Sequence, residues 1–131
     1  MRKLRAALGL LAGIVMVLSS AAHSLLGWKQ FQTALEGLQA PPDLIFGLAI
    51  GWYFGGVAIF TFGCVAIAVF ASVLRGRPVS LLPTALIAIA YTAFGIGALA
   101  VSRNPFFLIF IVPGLMLAFA SLPVRRPLDG G

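Results

Sequence analysis

Charge is scarce in this chain, and it is missing where a carrier or an enzyme would need it. Only 9% of the residues are charged. No Asp, Glu, Lys or Arg falls within any of four long apolar runs, at about 6–28, 44–74, 79–102 and 105–124. Proton relays and ion pathways in membranes are built on such side chains, so their absence argues against a proton-coupled carrier. Cysteine occurs once, as Cys64 in the middle of a run. One thiol closes no internal disulfide and holds no metal, and it reads as a small apolar side chain. Histidine also occurs once, at His23, too few ligands for a metal centre. There is no Cys-x-x-Cys, no His-Glu-x-x-His and no nucleophile–base–acid set. Neither metal nor cofactor is expected, and these absences argue against an enzyme. Acidic residues number 3 against 9 basic ones, a net charge of +6. The basic residues stand at the ends of apolar runs, so they point to anionic lipid and topology, not to nucleic acid.

What is present is apolar. Hydrophobic residues make up 61% of the 131, more than a soluble domain of this size can hide. The longest run, Leu44–Leu74, has 31 residues without a formal charge. As a helix it would reach ~46 Å, against ~30 Å for the hydrocarbon core of a bilayer. Within it Gly47, Gly51 and Gly55 form GxxxGxxxG, a spacing that lets another backbone approach closely. That stripe predicts the central, most tightly packed helix of the molecule. Gly56 and Gly63 offer a second small-residue face.

In chain order, Met1–Arg5 is a basic head, and the run 6–28 carries Gly9 and Gly13 as another GxxxG. Two readings of this start stay open. Residues 1–22 have the layout of a cleaved secretory signal, with Ser20-Ala21-Ala22 as the small-residue site. The apolar run nonetheless continues to Trp28, an interfacial anchor, which favours a retained helix. Residues 28–40 repeat apolar Trp28, Phe31, Leu35 and Leu38 at spacings of three and four, with polar residues between. That pattern predicts a short amphipathic helix lying in the outer interface. Pro41-Pro42 ends it, and Asp43 is placed to cap the next helix. Arg75-Gly76-Arg77-Pro78 is a helix stop with Gly76 left-handed. Ser80 is placed to cap the third helix, and Pro83 is tolerated in its first turn. Arg103-Asn104-Pro105 is a turn, and Pro113-Gly114 should kink the fourth helix.

The expected fold is therefore all-α: an integral membrane bundle of four spans with a short external amphipathic helix. Four spans put Arg2, Lys3, Arg5, Arg75, Arg77, Arg125 and Arg126 on one side, with Lys29 and Arg103 on the other. That asymmetry predicts cytoplasmic termini and an external segment 28–40.

His23 is the candidate binding residue, because an ionisable side chain inside a span is by default a functional candidate. The competing reading is an imidazole bonded locally to a serine or a backbone carbonyl. Counting places it at a shared depth with Trp52 and Tyr53. Arg5 to His23 is ~27 Å of helix, and Arg75 back to Tyr53 is ~33 Å. Trp52-Tyr53-Phe54 reads either as an aromatic belt or as the wall of an apolar ligand pocket.

The runs Ala22-His23-Ser24-Leu25-Leu26-Gly27 and Gly51-Trp52-Tyr53-Phe54-Gly55 resemble small bacterial four-helix membrane proteins, broadly similar to the DoxX-like group. The resemblance implies a four-helix bundle in a bacterial inner membrane and no activity. Tyr53 stands where such sequences can carry histidine, which puts chemistry by a histidine pair in doubt. The expected role is accessory or structural, through helix packing with a second copy or a membrane-protein partner, by way of Gly9, Gly13, Gly47, Gly51 and Gly55. The alternative is a binder of lipid or quinone near His23, Trp52 and Tyr53, and a weaker one a passive channel or transporter subunit.

Overall fold

A computed structural model describes residues 2–122. All regular structure among them is helical: α1 (Arg2–Ala22), one wide turn (His23–Gly27), α2 (Trp28–Gly37), α3 (Pro42–Leu74), α4 (Leu82–Ser102), a short 3-10 turn (Pro105–Phe107) and α5 (Leu108–Ser121). Three helices are long and apolar enough to cross a membrane: Lys3–Gly37, Pro42–Leu74 and Leu82–Ser102. The fourth, Pro105–Ser121, is ~25 Å long at 1.5 Å per residue, near the lower limit for a span. Positions 123 and 124 of the last apolar run lie outside the described residues, as do Arg125 and Arg126.

The α1–α3 seam follows a repeat of three and four. On α1 the stripe is Ala6, Gly9, Gly13, Met16 and Ser20, all buried, with Ala12 buried beside it. On α3 the inward set is Ile45, Ala49, Trp52, Gly56, Ile59, Gly63, Ala66 and Phe70, each buried or half-buried. Alternating steps of three and four keep one stripe facing a neighbour along two helices packed at a shallow angle. Small residues sit where the backbones nearly touch. A Cβ on Gly63 would lie 2.8 Å from the Gly13 carbonyl oxygen and 2.9 Å from the Val17 nitrogen. Lower down, Phe70 fills the space that Gly9 leaves, its Cζ 2.6 Å from where a Cβ would stand.

The second half packs in the same way. Thr84, Ile87, Ala88, Tyr91 and Gly95 form the buried face of α4, and Pro113, Gly114, Leu117 and Ala120 that of α5. A Cβ on Gly95 would meet the Ile111 nitrogen at 3.0 Å, and one on Gly114 the Thr92 nitrogen at 2.9 Å. Thr84 Oγ1 donates to the Leu81 carbonyl at 2.9 Å and shares a 2.8 Å bond with Ser121 Oγ, tying α4 to α5. Helix α1 packs against both α3 and α5, and α4 meets α3 only lightly.

Helix α1 is thus the centre of the bundle, and the expectation for α3 is corrected. Within their most apolar windows α3 is 22% buried and the Lys3–Gly37 helix 33%. Gly47 and Gly51 are exposed, and a Cβ on either meets nothing within 4 Å; Gly55 meets only His23 Nε2, at 3.4 Å. The reason is length. The two long helices run ~50 Å and α4 ~30 Å at 1.5 Å per residue. The hairpins are level at one end, where Arg5 Nε donates to the Phe119 carbonyl at 3.1 Å. The excess of ~20 Å therefore stands at the other end, and there α3 has only α2 beside it.

The amphipathic segment is also corrected. It is no separate helix lying flat: it continues α1 through the wide turn as one helix, Lys3–Gly37. Trp28, read as an interfacial anchor, is buried against the protein at 7%. Leu38, expected on the apolar face, lies past the helix end and is 80% exposed. Asp43 sits inside the first turn of α3 and makes no side-chain cap, although its charge there suits the helix dipole.

The α2–α3 and α3–α4 links begin with the same motif, which closes the C-terminal ends of α2 and α3. Gly76, at φ +75°, follows α3, with Gly76 N donating to the Val73 carbonyl and Arg77 N to the Ser72 carbonyl, each at 3.0 Å. That is the paired closure of a Schellman end. After α2 the equivalent left-handed residue is Gln39, at φ 56°. Its nitrogen donates to the Glu36 carbonyl at 2.9 Å, and that of Ala40 to the Leu35 carbonyl at 3.0 Å. A side chain in this region costs about 1–2 kcal/mol, partly offset by the backbone entropy that glycine loses on folding. Gln39→Gly is expected to stabilise the protein by about 0.5–1 kcal/mol in thermal unfolding. A fall in stability would mean that the Gln39 side chain contributes more than its backbone costs.

Candidate functional site

The wide turn at His23–Gly27 shifts the inward face of the long helix by one residue. From Ser20 the alternating repeat runs on to positions 23, 27 and 30, and Trp28 and Phe31 are each one position beyond it. A turn bonded i to i+5 takes up one extra residue. Here the Trp28 nitrogen bonds the His23 carbonyl across that turn, and Trp28 joins the inward face.

His23 and Trp52 are locked to each other. Their rings stack with centroids 4.4 Å apart and planes 3° from parallel. Trp52 Nε1 donates to the His23 carbonyl at 2.7 Å, a second bond to an oxygen already engaged by Trp28. His23 Nε2 lies 3.1 Å from the Trp52 carbonyl oxygen. A carbonyl only accepts, so Nε2 carries the hydrogen in this bond. Glycine makes the approach possible: a Cβ on Gly27 would stand 2.9 Å from Trp52 Cζ2. Gly56 opposes Ser24 so closely that any side chain would displace the hydroxyl.

The aromatic cluster widens from there. Phe31 stacks on the other side of Trp52 with centroids 5.1 Å apart, and Trp28 meets Trp52 at 6.1 Å and Tyr53 at 6.0 Å. Tyr53 is 46% exposed and Phe54 74% exposed. The sequence-predicted trio is thus divided. His23 and Trp52 face each other across α1 and α3, whereas Tyr53 sits at the rim against Trp28. Phe31 is part of the cluster although its spacing with Trp28, Leu35 and Leu38 fits an interfacial face; the one-residue shift at the wide turn brings it inward.

An open groove of about 590 Å³ borders the cluster, lined by Trp28, Gln32 and Glu36 on α2 and by Ile45, Phe46 and Ala49 on α3. Gln32 Nε2 donates to Glu36 Oε1 at 2.8 Å across its polar edge. His23 does not line this groove. Among the described residues, no group of three or more His, Cys, Asp or Glu side chains could hold a metal ion.

Fold and site together define a helical protein with three helices of membrane-spanning length and composition, knotted near one end by an aromatic–histidine cluster. Comparison of the chain with protein-family models, with curated proteins and with solved structures finds no match.

Proposed function

We propose that this chain is a four-span protein of a bacterial inner membrane, with both termini cytoplasmic and an accessory or structural role. It acts through helix packing with a second copy or a membrane-protein partner, and its kinship is with the small four-helix proteins of the DoxX-like kind. One observation carries the reading. The one histidine within an apolar helix has its ring stacked on Trp52 and its Nε2 bonded to a carbonyl, an arrangement that holds helices together. The uncharged runs support it further, since nothing in them relays a proton or an ion.

The test is affinity purification from gently solubilised membranes, with the lipid extract and the protein content both quantified. A stoichiometric membrane-protein partner, or a defined homo-oligomer, is expected. A monomer that carries one equivalent of quinone or lipid and no protein would contradict it. That outcome belongs to a second reading, favoured by the open groove: its apolar wall of Trp28, Ile45 and Phe46 and its Gln32–Glu36 edge suit a small apolar molecule with a polar end. Under that reading Phe46→Ala lowers the co-purified ligand at least several-fold and leaves the fold intact. An unchanged ligand content would exclude the groove as its seat.

A further inference from the structure

A second cavity lies at the opposite end of the bundle, where α1 begins, α5 ends and the α3–α4 link crosses. It has a volume of about 280 Å³ and is walled by Phe70, Val73, Leu81 and Leu122, with Arg5 and Arg77 at its polar side. Arg5 is held in place from below. Its Nε donates to the Phe119 carbonyl at 3.1 Å, its Nη2 donates to the Leu122 carbonyl, and its guanidinium lies 5.5 Å from the centroid of the Phe119 ring. A cation at a helix C-terminus is favoured by the helix dipole. A guanidinium has five N–H donors in a fixed fork, and two are engaged by α5, so three remain. Among the described residues, no carboxylate lines the cavity. The described carboxylates, Glu36 and Asp43, are at the far end of the long hairpin.

Two guanidinium groups, with no carboxylate among the described residues beside them and set into apolar walls at the end of a helical bundle, fit an anion that carries an apolar body. The guanidinium fork matches the oxygens of a phosphate and bonds it through charge-assisted pairs. Basic pockets between spans on the cytoplasmic side are suited to lipid headgroups. We propose that this cavity binds the phosphate of an anionic glycerophospholipid. The proposal rests on the membrane reading given above.

The experiment is native mass spectrometry of the full chain in neutral detergent, titrated with phosphatidylglycerol or with phosphatidylcholine of the same acyl chains. Phosphatidylglycerol is expected to bind at least about fivefold more tightly. Arg77→Gln should remove about that factor and leave phosphatidylcholine binding unchanged. Arg5→Gln also removes the bonds to α5, so Arg77→Gln, exposed and outside every hydrogen bond among the described side chains, is the deciding variant. Arg103→Gln, at the far end, should change nothing.

Equal binding of the two lipids, or an equal loss in Arg103→Gln, overturns the proposal. Displacement of the lipid by millimolar inorganic phosphate would identify a site for the free anion and overturn the lipid assignment. A chain that stays in solution without detergent would overturn the membrane reading itself. That result is distinct from a micelle-bound protein with no lipid preference.

Discussion

Gly63→Ala is expected to destabilise the protein by about 1–3 kcal/mol, the usual cost of forcing extra volume into a packed interface, and Gly63→Leu by more. The added Cβ meets main chain on α1, the Gly13 oxygen at 2.8 Å and the Val17 nitrogen at 2.9 Å. A side chain can rotate away from such a contact, but two backbones must separate. Separation strips contact from the whole α1–α3 seam, where buried Met16, Ala66 and Phe70 pack. Between helices in lipid, that close fit is the main source of attraction. Gly51→Leu supplies the contrast. Nothing lies within 4 Å of a Cβ there, so the monomer should keep its stability. Denaturation in detergent micelles, followed by helix content, reads both. Equal loss in Gly51→Leu and Gly63→Leu would show that the seam runs elsewhere.

Trp52→Ala is expected to cost about 3 kcal/mol, at the lower end of the range for truncating a buried Trp, because this ring is half-buried. The loss has separable parts. An aromatic stack contributes about 0.5–1.5 kcal/mol beyond its area, and the bond from Trp52 Nε1 to the His23 carbonyl about 1 kcal/mol net. Trp52→Phe keeps a ring against His23 and Phe31 and loses the indole N–H, so it should cost only about 1 kcal/mol. The same unfolding measurement separates the two variants. If Trp52→Ala unfolds at the parent's midpoint, the cluster adds nothing to the fold and the lock between α1 and α3 is discarded.

These two sites also show what the sequence made legible. The helices, their order and their stops could be read from uncharged runs and from punctuation such as Gly76 and Asn104, whose side chain accepts from the Phe106 nitrogen at 2.9 Å. The shared depth of His23 and Trp52 followed from counting residues back from Arg5 and Arg75. The glycine stripe misled because it steps by four throughout, and steps of four drift around a helix while steps of three and four hold one face. Ile45, Ala49, Trp52, Gly56, Ile59, Gly63, Ala66 and Phe70 carry that alternating pattern, visible in the residue numbers alone. It was hidden by composition: the set mixes glycine, alanine and large side chains, and almost every residue around it is apolar too. Helix length was the other missing term. The 31 uncharged residues of Leu44–Leu74 outrun α4 by ~15 Å at 1.5 Å per residue, so the upper part of α3 has little to pack against. The wide turn at His23–Gly27 left no residue signature of its own, since a one-residue shift of an apolar face shows only when the neighbouring helix is in place.

Under the proposed orientation the basic end of the bundle faces the cytoplasm and the long hairpin projects outward. Single cysteines at Gln32 and at Ser80, each in a Cys64→Ala background, test it most directly. Gln32 lies on α2 beside the outer groove, and Ser80 in the exposed link between α3 and α4. On intact spheroplasts an impermeant thiol reagent should label Gln32→Cys and leave Ser80→Cys unlabelled until the membrane is opened. Labelling of Ser80→Cys with Gln32→Cys protected would contradict the orientation, and equal labelling of both in a soluble fraction would contradict the membrane bundle altogether.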